Sequence, residues 1–395
     1  MNKQLSIIEL LTFEKENSVW DYTLFSYPFW IHCREPLLST AINVNRRLVY
    51  PTVFEMYKSF IGTIHFLFTQ NKYDKVFFLM ERTEILEIYK HDPSRKKILF
   101  LNKEQEKIFS DSDYISSDFF NLFRLLSRKV SYIFFYYKYY KMMKLLKKKG
   151  YDKLLKKYIK IAIGDAVFLK LLSFILSKKN KKIYSGSVIP MGEKFVNSLH
   201  SFEVQHGVIH GEHIGYIGIP EVKNTLILYH ERYEKLLRNK NYLGQLYINN
   251  YKIDFLNQKT NRYFNIVIYT QPIESMQKSI QQFFEIHKPK DVFIQKHPKD
   301  YYDYKIDSCF YVFGTIPREV KYPILYTSSI IENFTFFNRD CYIFNLHIEN
   351  VDLADFLQVY TNGTNSKMII KDSLKEIFGM IKKDQELNVY QKDVL

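Results

Sequence analysis

The sequence predicts an α/β protein with two doubly wound domains, each a mostly parallel sheet covered by helices on both faces. Strand-like apolar runs alternate with amphipathic helical stretches along the chain, and the alternation restarts after a polar stretch at residues 257–262. The chain has 395 residues, of which 46% are hydrophobic and 25% charged, which suits two globular domains and excludes a disordered protein. We therefore expect an N-terminal domain over residues 1–256 and a C-terminal domain over residues 263–395.

Short apolar runs bounded by polar or turn residues predict the sheet of the N-terminal domain. These runs lie at residues 75–81, 97–101, 182–189, 201–207 and 225–229, with a further short strand within 243–254. Helical periodicity fills the stretches between them. Strands that alternate with helices predict parallel pairing, because each crossover needs a helix-length connection.

The C-terminal domain repeats the pattern more regularly. Predicted strands lie at residues 265–271, 291–298, 309–313, 323–329 and 341–346, and predicted helices at 274–287, 330–337 and 373–387. No G-x-G-x-x-G follows the first of these strands, and no G-x-x-x-x-G-K-[ST] occurs in the chain. The sequence therefore disfavours dinucleotide-dependent dehydrogenases and P-loop NTPases.

Lysines are concentrated in one segment of the N-terminal domain. Between Lys138 and Lys182, fifteen lysines accompany only Asp152 and Asp165, so this segment carries +13 of the net charge of +15. The lysines recur every three or four residues with apolar side chains on the other side, which predicts an amphipathic helical region. It could be a solvated helix packed on its own domain, a contact for anionic lipid or a nucleic-acid site. Scarce arginine and the absence of a nucleic-acid module argue against nucleic acid, so we expect an anionic membrane surface as the partner.

Cysteines and apolar runs give expectations about compartment. Cys33, Cys309 and Cys341 lie far apart without C-x-x-C spacing, so neither a disulfide framework nor a cysteine zinc site is predicted. The N-terminus resembles no signal peptide, and the longest apolar stretch, residues 158–177, carries three charges spread around the helix. We expect a cytoplasmic protein, peripheral on the inner face of the cytoplasmic membrane.

The first candidate site follows a strand of the N-terminal domain. Ligands of doubly wound sheets bind at the carboxyl ends of strands, and Glu203, Gln205 and His206 lie where the run 201–207 turns into a loop. A carboxylate or an imidazole at that place could act as a general base. Substrate-binding candidates in the same stretch are Gln205, Gly207, His213 and Tyr216.

Histidines are frequent around this first site and raise the alternative of a metal centre. His200, His206, His210 and His213 lie close in sequence, but their spacing matches no helical pair of histidine ligands. A histidine that only bonds the turn backbone is a further alternative. The one D-x-D sequence, at residues 111–113, sits in a polar loop rather than after a strand. We therefore predict no metal ion.

Two further candidate sites follow strands of the C-terminal domain. Lys296, His297 and Pro298 follow the run 291–295, where an imidazole and an ammonium suit a diphosphate or phosphate ester. A hydroxyl-rich segment follows the later run at 323–326 and opens a predicted helix, where hydroxyls and free backbone N–H groups form an anion site. Its candidate residues are Thr327, Ser328, Ser329 and Glu332. Plain helix capping would explain one of these serines.

The order of these motifs resembles a known group of proteins. The K-H-P and Ser-Ser sequences are similar to the HP and Ser/Ser motifs of bacterial sialyltransferases and polysialyltransferases. The E-x-Q-H-G sequence with the later H-x-G-Y resembles capsule and lipopolysaccharide glycosyltransferases that have two Rossmann-like halves, the GT-B fold. The opening Trp20-Asp21-Tyr22, with Phe29-Trp30 and Arg34, is also similar to the start of such surface-carbohydrate proteins.

The resemblance implies a GT-B-like fold with two Rossmann-like domains facing a cleft, the donor in the C-terminal domain and the acceptor in the N-terminal one. It implies contacts from His297, Ser328 and Ser329 to the donor phosphate. The acidic D/E-D/E-G motif that supplies the family's catalytic base is absent here. Position alone makes Glu203 and His206 the candidate bases.

The predicted protein is a metal-independent glycosyltransferase. It would move a sugar from a nucleotide donor, with a CMP-sugar favoured, to a capsule or lipopolysaccharide glycan that could be lipid-linked. Apart from this nucleotide-sugar substrate, no cofactor is expected. Alternatives are a CDP-polyol phosphotransferase of the teichoic-acid type and a non-catalytic, membrane-associated carbohydrate-assembly protein.

Overall fold

The computed structural model places the chain in two compact units. The structure describes residues 5–38, 52–78, 83–101, 114–177, 181–186, 200–205, 209, 213–249, 263–271, 273–297, 300–305, 311–312, 319–325, 342–346, 367–371 and 373–392. Unit 1 holds the described residues up to Gln205 and those from 213 to 249, and unit 2 holds residue 209 and those from 263 onward.

Unit 1 begins with helices and a two-stranded hairpin. Ser6 opens helix α1 through a reciprocal capping box with Glu9, and Thr52 opens helix α3 in the same way with Glu55. The N-terminal elements are α1 (Ile7–Asn17), β1 (Thr23–Leu24), β2 (Tyr27–Pro28), α2 (Ile31–Leu38) and α3 (Val53–Thr69).

Seven parallel strands form the sheet of unit 1. Along the chain, the elements are β3 (Lys75–Phe78), α4 (Thr83–His91), β4 (Lys97–Leu101), β5 (Tyr114–Ser116), α5 (Asp118–Phe134), α6 (Tyr136–Lys148), α7 (Asp152–Ser177), β6 (Lys182–Ser185), β7 (His200–Val204), β8 (Thr225–Leu228), α8 (Glu231–Asn239) and β9 (Gln245–Ile248). Their spatial order is β5-β4-β3-β6-β7-β8-β9, and every neighbouring pair is parallel. Numbered from β3, this is the doubly wound order 3-2-1-4-5-6 with one strand added at the edge.

Aromatic side chains fill one face of this sheet. Phe77, Tyr184 and Phe202 stack across three neighbouring strands, with ring centroids 4.4 and 4.9 Å apart, and Tyr89 from α4 meets Phe77 edge-on. Stacked cross-strand aromatic pairs stabilise a sheet beyond the area they bury. They also align the end of β7 with that of β6, where Glu203 lies opposite Ser185.

A buried ionic cluster joins the helices of unit 1. The Asp165 carboxylate on α7 accepts paired hydrogen bonds of 2.7–2.9 Å from Arg124 and Arg128 on α5, and the His32 ring on α2 lies 3.6 Å away. Burial raises the pKa of Asp165, but the two guanidinium groups outweigh burial and hold it well below its usual range. Gly164 permits the close approach, because a Cβ there would lie 2.2 Å from the Arg128 backbone.

Six parallel strands form the sheet of unit 2. The elements are β10 (Tyr263–Tyr269), α9 (Glu274–His287), β11 (Val292–Gln295), β12 (Tyr311–Val312), β13 (Glu319–Leu325), β14 (Tyr342–Leu346), β15 (Lys367–Lys371) and α10 (Leu374–Lys392). Their spatial order is β12-β11-β10-β13-β14-β15, with parallel pairing throughout. Numbered from β10, this is again the order 3-2-1-4-5-6, and α9 and α10 pack their apolar sides on the sheet core.

These topologies confirm the predicted fold class: the chain contains two Rossmann-like, doubly wound α/β units, as a GT-B-like protein does. The cleft between them and the acceptor and donor roles of the two domains stay predictions. The polar stretch 257–262 and the helix expected at 330–337 lie outside the described residues.

The lysine-rich segment forms helices α6 and α7 as far as residue 177, as predicted. Tyr139, Met142 and Leu146 make the buried face of α6, while its lysines are exposed. Within the part of the chain that the structure describes, no helix is long and apolar enough to cross a membrane. The partner of these lysines stays a prediction.

Candidate functional site

Glu203 lies near the carboxyl end of β7, in the interior of unit 1. Its side chain is 2% exposed. One carboxylate oxygen accepts a hydrogen bond from the Tyr216 hydroxyl at 3.1 Å, and the other accepts one from the Asn224 amide at 3.0 Å. The structure therefore brings together two residues predicted for this site, Glu203 and Tyr216.

Gln205 and His213 are two further candidates of unit 1 that the structure describes. Gln205 is fully buried, and its side-chain oxygen accepts a hydrogen bond from the Tyr229 backbone N–H at 3.4 Å. His213 is half-buried, with its ring 4.8 Å from that of Tyr216 and its Nδ1 accepting from the Gly215 N–H. These interactions order the H-x-G-Y segment around Tyr216, which is the donor to Glu203.

A buried arginine from α2 anchors the same segment. Arg34 donates to the carbonyl oxygens of Ile214 and Ile217 at 2.5 and 2.8 Å and forms a two-point pair with Glu14 of α1 at 2.6 and 3.0 Å. Trp30 donates to the same carboxylate at 2.6 Å. Burial raises the pKa of Glu14, and Arg34 opposes that rise. The opening motif of the sequence therefore has a structural role: it fixes residues 214–217 beside Glu203.

Gly218 closes this segment. Its φ is +62°, and an added Cβ would lie 2.4 Å from the Leu11 side chain and 3.1 Å from the Arg34 guanidinium. Both its backbone conformation and the close packing exclude a larger residue.

Two buried polar atoms near Glu203 have no hydrogen-bond partner among the described residues. They are the side-chain oxygen of Asn224 and the hydroxyl of Tyr242. Burial, followed by the Glu203 charge, raises the pKa of Tyr242 well above its usual value, so this hydroxyl keeps its proton. Unpaired buried polar groups are costly and rare, and a site that awaits a polar ligand is one place where they persist.

In unit 2, His297 belongs to a loop that a buried carboxylate organises. Asp300, 1% exposed, accepts hydrogen bonds from the hydroxyls of Thr270 and Tyr304 and from the Gln277 amide. Its own N–H donates to the His297 carbonyl at 2.7 Å, and the His297 N–H donates to the Thr270 hydroxyl oxygen at 3.2 Å. The loop after β11 is thus tied to the end of β10, the first strand of the sheet.

Lys296 and Gln295 complete the described part of this edge. The Lys296 ammonium donates to the Tyr302 carbonyl at 2.6 Å and lies 5.7 Å from the Tyr304 ring, so it supports the loop from within. The side-chain oxygen of Gln295 is buried and has no hydrogen-bond partner among the described residues. Gln295 is the last residue of β11, so this oxygen lies at the carboxyl end of the strand that precedes His297.

Several predicted residues lie outside the described residues. They are His206, Gly207, Pro298, Thr327, Ser328, Ser329 and Glu332. The assignments of catalytic, donor and acceptor roles stay predictions. Within the described ranges, no group of three histidine, cysteine or acidic side chains could hold a metal ion.

Sequence patterns missed the residues that position the candidates. Asp300 follows the K-H-P motif by two residues. Because a carboxylate close to a phosphate site is unfavourable unless it has a structural role, its position could have indicated that Asp300 organises the loop. The partners of Asp300, Thr270 and Gln277, come from another strand and helix, and no local pattern shows them. Asn224 and Tyr242 likewise come to Glu203 from separate elements.

Comparisons with known proteins give a distant likeness in fold. No family model and no curated protein sequence matches the chain. A solved structure of the wall teichoic acid polymerase TagF is similar over 87% of this chain and 91% of its own, with 8% identity and a TM-score of 0.42. A histidine-to-alanine variant of that polymerase is similar over the same shares, with 8% identity and a TM-score of 0.40.

Proposed function

We propose that the protein is a glycosyltransferase that takes a sugar from a nucleotide donor bound by unit 2. The observation that carries this proposal is the strand order of unit 2, in which β11, β10 and β13 lie side by side. In a doubly wound sheet, nucleotides bind at the carboxyl ends of strands where the order reverses, and here that point lies between β10 and β13.

Three candidate segments leave this one edge. Thr270 directly follows β10, His297 follows β11 by two residues, and Ser328 follows the end of β13 by three residues in the sequence. Because the strands are parallel neighbours, these segments begin close together. His297 and Ser328, which are 31 residues apart in the sequence, would thereby serve one phosphate site.

The proposed role of the carboxyl edge of the unit 2 sheet is to stabilise the phosphate that leaves in the reaction. His297 and the hydroxyls of Ser328 and Ser329 would donate hydrogen bonds to the negative charge that grows on the leaving group. The Asp300 network would hold the His297 backbone in place before the donor binds, so little reorganisation is needed in the transition state. Since Lys296 binds its own loop, we assign the phosphate contact to His297.

In the proposed reaction, unit 1 takes the acceptor. Glu203, or His206 two residues beyond β7, would accept the proton of the acceptor hydroxyl. The orphaned oxygens of Asn224 and Tyr242 beside Glu203 support a polar ligand there. A capsule or lipopolysaccharide glycan, carrying many hydroxyls, has the chemistry that such groups recognise, and a CMP-sugar is the proposed donor.

The test is sugar transfer with paired variants. Glu203→Gln should lower turnover by roughly 10²- to 10⁴-fold while leaving donor affinity unchanged, because a base acts in the transition state. Glu221→Gln is the matched control, since Glu221 carries a carboxylate on an exposed loop. His206→Asn tests the second candidate base.

Three outcomes would contradict the proposed activity or its assigned base. Full activity in both Glu203→Gln and His206→Asn would move the base elsewhere. Transfer of a polyol phosphate from a CDP-polyol, with no transfer from any nucleotide sugar, would make the protein a phosphotransferase. Nucleotide binding without transfer to any acceptor would indicate a non-catalytic protein.

A further inference from the structure

Helix α5 is amphipathic in the reverse sense. Its inward residues include Arg124, Ser127 and Ser131, and the two arginines of this helix bind Asp165 in the interior. Large apolar side chains point outward instead. They are Leu122, Phe123, Leu125, Leu126, Val130, Ile133 and Phe134, with Phe134 79% exposed.

Helix α3 shows the same inversion. Ser59 and Thr63 lie on its buried face, where the Ser59 hydroxyl accepts a hydrogen bond from the Phe119 N–H at the start of α5. Its outward residues are Val53, Phe54, Tyr57, Phe60, Ile61 and Phe68. The rings of Phe60 and Phe119 are 5.1 Å apart, so the apolar sides of α3 and α5 adjoin.

A soluble helix normally turns its apolar stripe to the core. The α3–α5 face, defined as these outward residues of the two helices, does the opposite over several helical turns. Exposed apolar patches of this extent mark interaction surfaces. We therefore expect an apolar partner, either a bilayer or another protein surface, to cover this face.

The charged residues beside the α3–α5 face indicate which apolar partner covers it. Helix α6 continues directly from α5, and its exposed side combines Tyr136, Tyr137 and Tyr140 with lysines. The exposed lysines of α5, α6 and the first half of α7 are Lys129, Lys138, Lys141, Lys144, Lys147, Lys148, Lys149, Lys153, Lys156 and Lys157. Of the acids on the same helices, Asp118 and Asp152 are half-buried and Asp165 is buried. The apolar face is thus flanked by positive charge.

We propose that the α3–α5 face inserts into the surface of an anionic lipid bilayer, with the lysines of α6 and α7 at the head groups. An apolar face beside tyrosine and lysine is the composition of a helix that lies in the membrane interface. The insertion comes from α3 and α5, while the lysine segment supplies electrostatic attraction. This surface lies outside the candidate sites and does not depend on the reaction proposed for them.

A second copy of the chain suits the face less well. A twofold interface brings the same patch of each copy together, so the lysines beside the face of one copy would lie close to the same lysines of the other copy. Like charges across an interface oppose association. An anionic bilayer supplies the opposite charge along with the apolar phase.

Tryptophan introduced into the face tests the proposal without removing apolar surface. Phe134→Trp should shift its emission to the blue on addition of phosphatidylglycerol vesicles, and brominated acyl chains should quench it. Tyr301→Trp is the matched control, since Tyr301 is 66% exposed in unit 2. Its emission should not respond. Equal quenching of the two variants, or none in Phe134→Trp, would overturn the proposal.

A polar variant measures the affinity. Leu122→Ser, Leu126→Ser and Phe134→Ser combined should weaken binding to these vesicles at least tenfold. The loss of a single large apolar side chain from the bilayer would already weaken binding by about this factor. The matched control combines Leu243→Ser and Ile286→Ser, which change exposed apolar residues outside the face and should leave binding unchanged. If instead the wild-type chain is a dimer that the three-site variant dissociates, a second copy covers the face. Absence of vesicle binding by the wild-type chain would likewise overturn the membrane proposal and leave a protein partner.

Discussion

The two Rossmann-like units both anchor a loop at the carboxyl edge of their sheet, but they do so with different parts of the chain. In unit 1, Arg34 holds the carbonyls of Ile214 and Ile217, which lie 180 and 183 residues further along the sequence. In unit 2, Asp300 lies within the loop that it holds and reaches back only 30 residues to Thr270. The segment at residues 214–217 therefore depends on the N-terminal helices, while the His297 loop is secured locally.

The largest expected effect comes from breaking the long-range anchor. Arg34→Met leaves the Glu14 carboxylate buried without its cation and should lower the free energy of unfolding of unit 1 by about 3–5 kcal/mol. Urea unfolding can follow this through tryptophan fluorescence, since the chain's two tryptophans, Trp20 and Trp30, both contact this ion pair.

Two variants control that measurement. Arg95→Met removes an exposed arginine and should leave the midpoint nearly unchanged. Adding Glu14→Gln to Arg34→Met should recover part of the loss, because the unpaired charge disappears. A loss below about 1 kcal/mol in Arg34→Met would show that the pair does not anchor the segment.

The next effect concerns pH and the helices of unit 1. Burial, aided by Arg124 and Arg128 and opposed by Asp165, lowers the pKa of His32 from 6.5 to about 4. The unfolded chain therefore binds a proton between these values while the folded chain does not, so stability is lost as pH falls from 6.5 to about 4. The loss should be on the order of 3 kcal/mol.

The contribution of His32 is obtained as a difference from the variant His32→Gln. That variant should lose less stability between pH 7 and pH 4.5 in tryptophan-detected urea unfolding. Glu14 acts in the opposite direction, because burial raises its pKa and its stability contribution grows as pH falls. The same pH dependence in wild type and variant would contradict a neutral buried His32.

A smaller and local effect is expected in unit 2. Asp300→Asn weakens the acceptor for the hydroxyls of Thr270 and Tyr304 and should cost about 1.5–3 kcal/mol of local stability. Hydrogen exchange should quicken in residues 296–305, while the tryptophan-detected transition of unit 1 stays in place. Asp303→Asn, an exposed acid in the same loop, is the control. Equal exchange in both variants would remove the proposed role of Asp300.

The smallest expected effect comes from an exposed ion pair, and it separates the contribution of burial from that of the distance between the charges. Glu274 and Lys278 on α9 approach to 2.6 Å, the same separation as Arg34 and Glu14, but both are largely exposed. Glu274→Gln should not measurably move the unfolding midpoint of unit 2, followed by far-ultraviolet circular dichroism, since solvent screens such pairs. A clear shift would mean that distance, rather than burial, sets the strength of these anchors.

The sequence predicted the sheets well because apolar runs bounded by polar residues are local signals. Helix α9 was predicted at residues 274–287 and lies there. Strand β15, Lys367–Lys371, was missed because only three apolar residues lie between its lysines. Strand β5, Tyr114–Ser116, is too short for a periodic pattern.

Tertiary contacts explain what the sequence could not show. Periodicity reveals that a helix has an apolar face, but it does not reveal which way that face points, and α3 and α5 turn theirs outward. The partners of Glu203 and Asp300 come from separate elements, so no spacing rule finds them. The His297 and Glu203 motifs could be named from sequence because each lies at the carboxyl end of a strand, and Tyr216 lies in the connection that follows β7.

The most direct test of the proposed function is nucleotide affinity in unit 2. Isothermal titration with cytidine nucleotides should show that His297→Ala binds roughly 10- to 100-fold more weakly than wild type, the loss expected for one charge-assisted hydrogen bond. His287→Ala, which changes an exposed histidine at the end of α9, should bind as the wild-type chain does. Equal affinity in all three proteins, or no nucleotide binding by the wild type, would contradict the donor site.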